Sequence, residues 1–202
     1  MRADLALQEL LEGNRRFVES RSIYPNQDID HRRKIVETQQ TFAVVVTCSD
    51  SRVPPEIIFD QGLGDLFVIR IAGNILNKHI IGSIEYAVKY VNVPLIMILG
   101  HENCAAVDIT LKNIVTDSCI DNVFETIRQN IGEIDLSQED ILNIAIKKNV
   151  DTVINDLKSS SIIISELVND DKVKVVGAYY DFKSGIVDII NKQSYCSFSL
   201  SS

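Results

Sequence analysis

Apolar positions recur along this chain in two rhythms, and each change of rhythm marks an element. Leu7, Leu10, Leu11, Phe17 and Val18 fall at helical spacing, which predicts an amphipathic helix over residues 4–19. Pro25 and its polar neighbours break that pattern, and a second short helix is expected from about His31 to Gln39. Phe42 to Thr47 is an unbroken apolar, β-branched run. Its lack of alternation predicts a strand covered on both faces, as in parallel sheets. Leu66–Ile71 and Pro94–Leu99 read as buried strands for the same reason. A helix from about Ile80 to Val91 separates these two, and a short helix from Pro55 to Gln61, closed by Gly62, follows the first strand. Strands alternating with helices predict an α/β fold with a mostly parallel sheet of about four strands and helices on both faces.

From Asn103 to about Asp170 the pattern is almost wholly helical. Ser137-Gln138-Glu139-Asp140 resembles a capping box opening a helix that carries Ile141, Leu142, Ala145 and Ile146. Val173–Tyr180 is the fourth strand, and Ile186–Ile190 returns as its hairpin partner after a turn at Lys183-Ser184-Gly185. The polar tail after Gln193 is expected to fray. With no internal repeat or linker, residues 1–202 are read as a single α/β domain. Residues 1–40 form an N-terminal helical arm, 41–111 a core, 112–170 a helical segment and 171–202 the C-terminal strands.

Composition narrows the function. A 46% hydrophobic content supports a sizeable core, and no apolar run nears the ~18 residues of a membrane span. The net charge of −8 and the lack of a basic stripe exclude a nucleic-acid partner. Met1-Arg2-Ala3-Asp4 brings an acid early and no signal-peptide core follows, so a cytoplasmic location is expected. The four cysteines are accordingly read as reduced thiols. Cys119 and Cys196, without chemical company, are read as small buried residues.

The other two thiols have company. Cys48-Ser49-Asp50-Ser51-Arg52 is answered by His101-Glu102-Asn103-Cys104. Two thiolates and an imidazole are a zinc ligand set, and stopping at three ligands leaves the open position of a catalytic site. Cys48 falls at the carboxyl end of the first strand and His101 just past the end of the third, at the edge where open α/β sheets bind ligands. Cys104 falls at a helix start, where the dipole favours a thiolate. Asp50 and Arg52, two apart in an extended segment, share a face. A free Asp50 would become a fourth ligand and close the site. Held bidentately by Arg52 it stays off the metal, able to accept a proton.

Further motifs follow in order: Gly64-Asp65-Leu66-Phe67-Val68-Ile69-Arg70, Ala72-Gly73-Asn74, Ser83-Ile84-Glu85-Tyr86-Ala87-Val88, and Gly100 before the histidine. With Cys-x-Asp-x-Arg and His-x-x-Cys, they resemble the β-class carbonic anhydrases over about Leu5–Val107 and again over Gly177–Val187. The resemblance implies a zinc lyase that interconverts carbon dioxide with bicarbonate and a proton through a zinc-bound hydroxide. Cys48, His101 and Cys104 would bind Zn2+, and Asp50 and Arg52 would form the catalytic dyad. Gln39 would orient substrate, with Phe67 and Tyr86 lining a small apolar pocket. It also implies a homodimer or higher homo-oligomer, with the N-terminal helix embracing the neighbour and the pocket built at the interface.

Two thiolates neutralise the metal's charge. The water should therefore ionise at higher pH than the value of about 7 found in carbonic anhydrase with three histidines. His31 and His79 suit a proton relay by chemistry alone. The chain departs from the family at Ala105-Ala106, where glycine usually follows the second cysteine. Ala72 stands in place of a larger residue. Val45 replaces the tryptophan of members with a regulatory bicarbonate site. Rival readings are hydrolysis of carbonyl sulfide or carbon disulfide on the same scaffold, and a non-catalytic zinc interaction module. A nucleotide-binding domain is disfavoured because no Gly-x-Gly-x-x-Gly follows the first strand.

Overall fold

A computed structural model describes residues 1–190. The elements run α1 (Ala3–Val18), α2 (Ile29–Lys34), β1 (Ala43–Thr47), α3 (Pro55–Ile58), β2 (Leu66–Arg70), α4 (Lys78–Tyr90), β3 (Leu95–His101), α5 (Ala105–Leu111), α6 (Asp121–Ile131), α7 (Ile141–Ser160), α8 (Ile162–Asn169), β4 (Lys174–Tyr180) and β5 (Val187–Ile189). The sheet order is β2-β1-β3-β4-β5, parallel except for the antiparallel β5. The expected α/β architecture is observed, with helices on both faces.

Alternation within strands sorts the core into two layers. Val45 and Met97 meet α1 and α3 through Leu7, Leu10, Ile58 and Phe59. Val44, Val46, Ile96 and Ile98 face α4, α7 and α8 through Ile84, Val150, Val153, Leu157 and Ile164. The N-terminal helix packs on its own sheet, where Ala6, Leu7 and Leu10 are buried. Asn14 ties it further: Nδ2 donates to the carbonyls of Ile58 and Gly185, and Oδ1 accepts from the Val187 N–H.

Several expectations need correction. β2 has a strand-core sequence but sits at the sheet edge, so all five residues are partly or fully exposed. The second helix ends at Lys34 rather than Gln39, and its N-terminus is capped by Asp28, which accepts from the His31 N–H. Ser137 does not cap a helix. Its N–H and hydroxyl both donate to Asp135, and α7 begins only at Ile141. β3 extends through His101, so the histidine closes the strand instead of following it. Cys119 is exposed, in the turn before α6, not buried. Cys196 and the tail after Gln193 lie outside the described residues.

Candidate metal centre

Strand register assembles the site. Thr47 pairs with Arg70 on one side and Leu99 on the other, so Cys48, leaving β1, reaches the same sheet end as His101. Cys104 is the N-cap of α5, three residues on. The ligand atoms of Cys48, His101 and Cys104 lie within 4.8 Å of one another, and all three residues are buried.

The donor chemistry suits a dication. His101 Nδ1 meets the Glu102 carbonyl at 2.8 Å. A carbonyl only accepts, so Nδ1 carries the proton and the lone pair belongs to Nε2. Nε2 is fully buried and has no hydrogen-bond partner among the described residues. An orphaned buried acceptor costs free energy unless something fills its coordination. The thiols are mismatched in the same sense. The Cys104 thiol and the Gly73 N–H (3.3 Å from Sγ) pull the Cys48 thiol down, whereas the Cys48 sulfur and burial push the Cys104 thiol up. A bound dication would take both sulfurs as thiolates.

Asp50 lies beside this set but outside it. Arg52 Nε donates to Oδ1 at 2.9 Å and Nη2 to Oδ2 at 2.7 Å, a bidentate fork. That fork holds the Asp50 carboxyl down to about 2. The pair does not share a face through extended backbone, as expected from the spacing. Residues 50–53 form a turn, with the Arg52 N–H on Asp50 Oδ1 and the Val53 N–H on the Asp50 carbonyl.

The family model described as carbonic anhydrase matches residues 43–187. Carbonic anhydrase 2 of Mycobacterium tuberculosis is 40% identical over 187 residues, covering 89% of each chain. The chain belongs to the carbonic anhydrase family. Among solved members, the β-carbonic anhydrase CcaA aligns with a TM-score of 0.72 at 27% identity, covering 93% of this chain and 92% of that one. One of two tetrameric β-carbonic anhydrases from Sordaria macrospora aligns at 0.70 and 25% identity, covering 91% and 96%.

Other family positions are placed unevenly. Phe67 and Tyr86 approach each other, with ring centroids 6.5 Å apart, but Phe67 packs with the α4 layer and Cys48 belongs to a different cluster. Tyr86 is 51% exposed. Gln39, exposed, precedes β1 while Cys48 follows it, so the two stand at opposite ends of that strand. One chain therefore does not bring these three to the ligand cluster. His31 bonds the Leu63 carbonyl, before β2, and His79 lies at the start of α4. Ala105 and Ala106 open α5 with helical backbone, so their methyl groups impose no left-handed strain. Val45 is sealed in the core under α1.

The spacing of motifs left several supporting residues unassigned. Arg70 Nε donates to the Cys48 carbonyl at 3.1 Å and Nη2 to that of Asp50, riveting the loop between them. Gly73, with φ +67°, turns its N–H to Cys48, and a Cβ there would lie 2.5 Å from Ile127. Asn149 of α7 donates to the Gly73 carbonyl at 2.9 Å and accepts from Asn130. A polar residue on the apolar stripe Ala145, Ile146, Val150, Val153 was a readable signal for it.

Proposed function

We propose that this chain catalyses the reversible hydration of carbon dioxide to bicarbonate and a proton, with zinc held by Cys48, His101 and Cys104. The carrying observation is the convergence of these three donors to within 4.8 Å, around an orphaned Nε2, with Asp50 forked away by Arg52. When bound, the dication supplies the Lewis acidity that makes water a nucleophile near neutral pH. Asp50 stays ionised at every working pH, because Arg52 holds its carboxyl at about 2. So acidic a group orients the attacking water as an acceptor and does not retain its proton. Arg70 and Gly73 fix the Cys48 end of the site, and the Glu102 carbonyl fixes the His101 ring.

A second copy of the chain completes the pocket in this reading. The exposed β2 edge with Phe67, and Tyr86 beside it, form an apolar surface that a partner would cover, and Gln39 stands at the far end of β1 from its own chain's metal ligands. The tetrameric relatives support a homo-oligomer. We assign the protein to the cytoplasm, a reducing compartment in which thiolates such as those of Cys48 and Cys104 stay available to a metal. No helix of the described residues is long and apolar enough to cross a membrane.

Stopped-flow hydration at about pH 7 and about pH 9, with zinc measured on the same sample, tests the reading. It expects stoichiometric zinc, faster hydration at the higher pH, and loss of both zinc and activity in Cys104→Ser. Folded protein that neither holds zinc nor takes it up would overturn it.

A further inference from the structure

Phe182 opens the hairpin between β4 and β5, and its half-buried ring is enclosed by side chains of the site. The Arg52 guanidinium carbon lies 4.2 Å from the ring centroid, stacked over the π face. The His101 ring is 5.3 Å away, and Tyr180 meets the ring edge-on at 5.5 Å. The backbone carrying Phe182 is held as well. Its N–H donates to Glu102 Oε2 at 3.0 Å, while the Glu102 N–H donates to the Tyr180 carbonyl at 2.9 Å. Glu102 is also the residue whose carbonyl orients His101. One aromatic ring and one carboxylate therefore join the guanidinium, the imidazole and the hairpin.

Arg52 is in need of such a support. Its side chain is 54% exposed, and an exposed guanidinium swings away from its carboxylate unless another contact restrains it. We propose that Phe182 is a positioning residue, clamping Arg52 from the hairpin side so that its fork stays on Asp50 and the carboxylate stays off the metal ligand set. The contact itself stands on the ring geometry. Its consequence for catalysis rests on the proposed carbon dioxide reaction.

The test uses the full zinc-loaded protein and two variants, Phe182→Leu, which keeps an apolar side chain without a π face, and Phe182→Tyr, which keeps the face. Arg52 is modified with phenylglyoxal and its rate followed by peptide mass mapping, with Arg70 as internal reference. In Phe182→Leu, Arg52 should react roughly two- to fivefold faster, the factor for losing an exposed cation–π contact. Phe182→Tyr should restore the wild-type rate, and Arg70 should react equally in all three. The kcat of Phe182→Leu should fall by a similar factor with KM unchanged. Wild-type labelling of Arg52 in Phe182→Leu, or labelling in Phe182→Tyr as fast as in Phe182→Leu, overturns the proposal. A wild-type protein lacking zinc or hydration activity instead counts against the proposed reaction and leaves the labelling to decide Phe182.

Discussion

In the proposed reaction, Asp50 carries the chemistry that belongs to a single residue. Its carboxylate accepts two bonds from the Arg52 fork and one from the Arg52 N–H. Asp50→Asn keeps the shape but loses the charge, so hydration should fall by about 10²-fold while zinc content stays unchanged, as stopped-flow and elemental analysis will report. The same carboxylate makes a pH-dependent contribution to stability. It titrates at about 2 in the folded chain against 3.8 ordinarily, so the unfolded chain binds its proton first as pH falls. The contribution is complete above about pH 4 and is lost on descending towards about pH 2. Urea unfolding at about pH 5 and about pH 3 should therefore show the gap between wild type and Asp50→Asn narrowing at the lower pH. Residue identity made Cys48, Asp50, Arg52, His101 and Cys104 legible, because their chemistry is unusual at any address. Phe182 and Glu102 were not, since an aromatic ring and an acid in a turn become informative only when β4 lies beside β3.

At the scale of elements, packing decides what pattern leaves open. The apolar run of β2 reads like that of β1, yet strand order puts one at the edge and the other between two neighbours. Alternation cannot report order, because order depends on partners distant in sequence. The capping-box pattern at Ser137 failed through local competition, with Asp135 taking both donors of the serine. Gly13 shows a close approach that periodicity also hides. It lies within α1, and a Cβ there would stand 1.7 Å from the carbonyl oxygen of Phe59. Gly13→Ala must push α1 off the segment after α3 and loosen Asn14, which bonds Ile58 and the hairpin. Equilibrium unfolding should show a loss of about 3 kcal/mol, the upper range for overpacking, despite alanine's better helix propensity.

Across the whole molecule, the position of Gln39 becomes a question of symmetry. It precedes β1, and Cys48 follows the strand's five residues, a separation of about 17 Å or more along an extended chain. Gln39 can serve a metal site only if that site belongs to another copy. In a two-fold dimer each pocket then takes Asp50 from one subunit and Gln39 from its partner. Asp50→Asn and Gln39→Ala subunits, each weakly active alone, are mixed in equal amounts and allowed to exchange. Half of the dimers become mixed, and in each of these one pocket carries both lesions while the other carries neither. About a quarter of all pockets are then intact, and hydration should recover to about a quarter of the wild-type rate. If Gln39 instead acted within its own subunit, every pocket in the mixture would carry one lesion and no activity would return. Sedimentation of the same mixture confirms that assembly is unchanged, so the recovered rate reports only which chain supplies the glutamine.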